Sequence, residues 1–67
     1  MRDEVKIIGK SIMLGPDGYK VKLFVRLRRE GRVVQIEDTA PLGSTAQELQ
    51  EKLNQLERMA YADLQQG

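Results

Sequence analysis

Five side chains recur at every second position in one stretch of this sequence. They are Lys20, Lys22, Phe24, Arg26 and Arg28, within Tyr19–Arg29, YKVKLFVRLRR. Four cations around one ring can neutralise phosphates and offer a plane to a base or sugar. The same set suits a protein contact, where Arg and Phe are favoured. Other chemistry is poorly supplied. The chain has no histidine and no cysteine, so the commonest general base and the best nucleophile are missing. Ser11, Thr39, Ser44 and Thr45 have no base beside them. Glu37 and Asp38 are adjacent, and neighbours on a strand point to opposite faces, so they form no dyad. A zinc site would lack its preferred ligands, and Asp17, Glu37 and Asp38 alone would give a weak, hydrated cation site. The expectation is a protein that is not an enzyme, with no cofactor, metal or small-molecule substrate.

Alternation requires a strand with one dry and one wet face. Tyr19, Val21, Leu23, Val25 and Leu27 form the dry set. Upstream, Val5 and Ile7 alternate in one phase, and Ile12 and Leu14 in the other. One extra residue near Gly9-Lys10 repairs the phase, which predicts a β-bulge in a first strand over 5–14. Gly15-Pro16-Asp17-Gly18 then makes a hairpin turn: proline pre-sets φ and glycine supplies a positive φ. Its letters also fit a G-x-x-G nucleic-acid loop. That loop joins two helices and presents backbone amides, whereas strands flank this one and proline removes an amide.

The second strand is expected over 19–29 and the third over 32–38, joined by a two-residue turn at Glu30-Gly31. That turn would set Arg29 opposite Arg32, Leu27 opposite Val34 and Val25 opposite Ile36. On the wet face it would set Arg28 opposite Val33, Arg26 opposite Gln35, and Phe24 opposite Glu37. After Thr39–Gly43, either Ser44 with Gln47 or Thr45 with Glu48 has capping-box spacing. Ala46, Leu49, Leu53, Leu56, Ala60 and Leu64 then form one apolar stripe on a helix over 45–65. A helix of about 20 residues is roughly 30 Å long, enough to cover one face of a sheet of nine-residue strands. Met59 and Tyr61 flank the stripe and would seal the ends of the sheet, or else meet a second helix.

The fold class is α+β: β-β-β-α, a three-stranded antiparallel meander with one C-terminal helix on its dry face. Sixty-seven residues make one small domain, with 1–4 and 66–67 frayed. No disulfide can support it, so it relies on apolar packing and gains from self-association. Net charge is +1, yet residues 1–38 hold nine Lys/Arg against six Asp/Glu, and residues 39–67 hold two against four. No apolar run is long enough for a transmembrane helix or a signal peptide, so a cytoplasmic location is expected and no membrane partner.

The face left without a helix should carry Lys6, Ile8, Lys20, Lys22, Phe24, Arg26, Arg28, Val33, Gln35 and Glu37, with Met13 joining according to the bulge. Ile8, Phe24 and Val33 make this surface apolar as well as basic. Near-zero net charge and a single aromatic side chain there count against a stacking platform for bases. The expected function is a non-enzymatic interaction domain that binds a protein partner or forms a homodimer, through this face or a sheet edge. The alternative is a nucleic-acid-binding module using the same face. In size and charge the chain is similar to phage and plasmid accessory proteins and protein inhibitors. Three-stranded sheets backed by one helix also occur in the DNA-binding arms of recombinases, a likeness of fold alone.

Overall fold

The computed structural model describes residues 4–64. Three antiparallel strands, β1 (Val5–Gly15), β2 (Gly18–Leu27) and β3 (Arg32–Ala40), form one sheet in the order β1-β2-β3. A helix, α1 (Ala46–Met59), follows, and a π-helical segment over Ala60–Leu64 extends it. The β-β-β-α meander expected from the alternation is therefore present. The expected fraying at 1–3 and 66–67 lies outside the described residues. Glu4 is held, because its carbonyl accepts from the Arg28 amide at 2.9 Å.

The first hairpin closes on Pro16-Asp17, with Gly15 paired to Gly18. Gly18 has φ of 147°, and a β-carbon there would lie 2.5 Å from the Ala40 carbonyl oxygen, so only glycine fits. The bulge is present one residue before the expected place. Ile7 pairs with Val25 and Gly9 with Phe24, leaving Ile8 as the extra residue. Beyond it Lys10, Ile12 and Leu14 pair with Leu23, Val21 and Tyr19, which puts them on the dry face.

The second hairpin differs from expectation. Leu27 pairs with Arg32, Val25 with Val34 and Leu23 with Ile36, a shift of two residues. The loop is Arg28–Gly31, closed by the Gly31 amide donating to the Leu27 carbonyl at 2.7 Å. A two-residue turn of type I′ or II′ would require positive φ at Glu30. No non-glycine residue in the described chain has one, and Gly31 alone takes φ of 68° in this loop. A shift of two leaves every side chain on its expected face.

Thr45 is the N-cap. Its hydroxyl accepts from the Glu48 amide at 3.1 Å, and the Glu48 carboxylate accepts from the Thr45 amide at 2.8 Å. Leu49, Leu53, Leu56 and Ala60 meet Val5, Val21, Leu23, Val25, Leu27 and Ala40 in the core, with Ile7, Tyr19, Val34 and Ile36 packed at its margin. Ala46, expected in the stripe, is exposed. Met59 and Tyr61 are exposed too, so they do not seal the sheet.

The helix covers the dry face incompletely. The molecule measures 42 × 17 × 14 Å, while the 14 residues of α1 span about 21 Å and the five residues of the segment beyond it add only about one more turn. α1 lies mainly against β2 and β3. Ile12 and Leu14, on the dry side of β1, stay uncovered. Each border strand also carries on its inner face a charge that the helix meets. Lys10 of β1 lies 2.9 Å from the Glu57 carboxylate, and Asp38 of β3 lies 3.1 Å from Lys52 Nζ. The two pairs have opposite polarity, so swapping the sides of the helix would set like charges together.

Candidate functional site

The open face is built by the even positions of β2 and their neighbours. Its rows are Lys6-Arg26-Val33, then Ile8 with Gly9, Phe24 and Gln35, then Ser11-Lys22-Glu37, then Met13-Lys20-Thr39. Nine of the ten residues expected on this face lie in these rows: Lys6, Ile8, Lys20, Lys22, Phe24, Arg26, Val33, Gln35 and Glu37. Met13 joins them. The tenth, Arg28, falls in the Arg28–Gly31 loop. Its guanidinium donates to the Glu4 carboxylate at 2.6 Å, which ties it to the sheet end.

The observed register changes which residues meet. Val33 sits beside Arg26 and one diagonal from Phe24, whereas the expected turn would have placed it further away, beside Arg28. Ile8 is 49% exposed and Val33 50%, so two apolar side chains flank Phe24 in the open. The bulge causes this on the β1 side, because the extra residue brings Ile8 as well as Gly9 opposite Phe24. Phe24 itself is partly buried. Its ring lies across Gly9, 3.5 Å from where a β-carbon would stand. It therefore offers less of a plane to a base than its place in the sequence suggests.

The cations divide into two sets. Lys20 and Lys22 share Glu37, at 4.0 and 3.9 Å, and these long contacts at the surface hold them loosely. Lys6 and Arg26 make no ion pair among the described residues. With Glu4, Val5 and Arg28 they line a shallow depression at one end of the sheet.

No group of three or more acidic residues is placed to hold a metal ion among the described residues. Among them, too, no helix is long and apolar enough to cross a membrane. The Asp38 carboxyl is held below its ordinary range. The Thr39 amide, donating at 2.7 Å, is the main cause, and the Lys52 ammonium adds to it. Asp38 lies on the helix side, away from the open face. Two features could not be found from the sequence: the Phe24–Gly9 contact and the uncovered Ile12 and Leu14. Alternation assigns a side chain to a face but does not say what lies over it. No protein family, curated protein or solved structure matches the chain.

Proposed function

We propose that this chain is a non-enzymatic interaction domain whose open sheet face receives a protein partner of acidic and apolar character. One observation carries the reading: Ile8 and Val33, each half exposed, stand around Phe24 and next to Lys6 and Arg26, which have no carboxylate of their own among the described residues. An apolar centre with a charged margin is the usual build of a protein contact. Two copies meeting face to face would oppose cation to cation, so self-association belongs to a sheet edge instead.

The test is a displayed-peptide selection on the immobilised full chain. Enriched peptides combine Asp or Glu with large apolar residues, and Arg26→Glu and Val33→Asp each abolish the enrichment. No acidic enrichment, or enrichment indifferent to both changes, overturns the reading.

Nucleic acid remains a second reading because Lys20, Lys22 and Arg26 line one strand face at alternate positions. The partly buried Phe24 and the Glu37 carboxylate beside two of the lysines disfavour it. A gel titration at two salt concentrations discriminates. Binding that weakens as salt rises, with a smaller slope in Arg26→Ala, favours nucleic acid.

A further inference from the structure

β1 carries Ile12, Met13 and Leu14 in succession, and they are 43%, 55% and 67% exposed. The strand is an edge, with β2 on one side and no strand on the other among the described residues. A strand edge presents unpaired amides and carbonyls, and proteins blunt such edges with charge, proline or bulges. β3, the opposite edge, is blunted. Glu37 and Asp38 put an anion on each of its faces, and the Asp38 carboxylate occupies the Thr39 amide at 2.7 Å. The Ser11–Gly15 part of β1 has no charge, no proline and no bulge. The bulge lies earlier, at Ile8, and Lys10 is engaged by Glu57.

We propose that a second copy of this chain covers this edge, pairing antiparallel with β1 over Ser11–Gly15. The two sheets become one, with both helices on the same side. Faces match only in registers that keep the pleat in phase. The register that sets Met13 opposite its own counterpart puts Ile12 opposite Leu14 twice, and Ser11 opposite Gly15 twice. No charge then faces another charge across the junction. The Ile12 and Leu14 side chains of both copies form an apolar cluster on the helix side, where α1 leaves β1 uncovered. Three side chains and a short ladder from each copy bury less than the roughly 1,200–2,000 Å² of a stable interface. The dimer is therefore weak and forms only as the chain is concentrated.

This inference rests on reading the chain as an interaction domain and names one partner and one site. Sedimentation velocity on the full chain, from about 5 to 500 µM, tests it. The weight-average mass rises from one chain toward two. Leu14→Lys and Met13→Lys each weaken association at least tenfold, with circular dichroism confirming that both variants are folded, and Val33→Asp leaves association unchanged. A chain that stays monomeric throughout, or a dimer that survives both lysine variants, overturns the edge pairing. A dimer broken by Val33→Asp and not by Leu14→Lys also overturns it, while leaving the interaction-domain reading in place. If the chain is monomeric but acidic peptides are still captured through Arg26, the edge pairing alone falls.

Discussion

The ring of Phe24 lies over Gly9 on the open face, close enough that a β-carbon on Gly9 would meet Phe24 Cδ2 at 3.5 Å and Phe24 Cβ at 3.7 Å. These are ordinary contact distances, and Gly9 has no positive φ to lose. A strand glycine costs backbone entropy, and an aromatic neighbour across the ladder offsets part of that cost by covering it. Gly9→Ala should therefore stabilise the fold by about 0.5–1 kcal/mol. Phe24→Ala should cost about 1–2 kcal/mol, and less in the Gly9→Ala background. Urea denaturation of the two single variants and the double variant measures both effects. A destabilised Gly9→Ala would contradict this account of the contact.

Gly18 and Gly31 should respond differently. An alanine at Gly18 drives its methyl group to 2.5 Å from the Ala40 carbonyl oxygen at φ of 147°. Some backbone must move, and the expected loss is at least about 2 kcal/mol. Gly31 has open space around it and φ of 68°. Gly31→Ala should cost about 1 kcal/mol, and Gly31→Asn less, because asparagine tolerates that region. Thermal melts of the three variants rank them. A Gly18→Ala protein as stable as Gly31→Asn would mean that the first hairpin closes differently.

Asp38 makes stability depend on pH in a definite direction. Its carboxyl is held below the ordinary value of 3.8, first by the Thr39 amide and then by Lys52. The unfolded state therefore takes up a proton at higher pH than the folded state. The contribution is complete above about pH 4 and is lost as pH falls through the lowered folded value. Lys52→Ala should return only part of the shift, since the amide remains. Carboxyl titration by NMR checks both statements. Complete restoration to the ordinary value in Lys52→Ala would make the ammonium, not the amide, the main cause.

The core residues should divide from the exposed apolar ones. Leu23 and Leu56 are fully buried, so either one changed to Ala should cost about 2–5 kcal/mol. Leu42 is exposed, so Leu42→Ser should change stability by less than about 0.5 kcal/mol. Chemical denaturation of the three variants would show it. An equal loss in all three would place Leu42 in the core.

Much of the site was legible because its logic is one of faces. The loop is Arg28–Gly31 and not the two-residue turn that Glu30-Gly31 suggests, yet an offset of two residues returns each side chain to the same side, so Lys20, Lys22, Phe24, Arg26 and Val33 still share a surface. What was lost was adjacency. Val33 lies beside Arg26 and not beside Arg28, because turn type depends on whether Glu30 can take a positive φ. Arg28 left the face for the same reason: the longer loop carried it toward Glu4. The cap was ambiguous between Ser44 and Thr45. The chain path settled it when the Ser44 amide and hydroxyl were taken by the Pro41 carbonyl, at 3.1 and 2.7 Å.

Periodicity alone determined the three strands, the bulge, the helix and the two faces of the sheet, because a side chain's direction follows from its position in a regular backbone. Tertiary structure decided which groups are covered. It laid Phe24 over Gly9, engaged Lys10 and Asp38 with the helix, and set α1 over β2 and β3. Ile12 and Leu14 were left in the open on a side that the pattern marks as dry. Burial depends on where a helix lies across a sheet, and that position is set by contacts between residues distant in sequence, which no local pattern records.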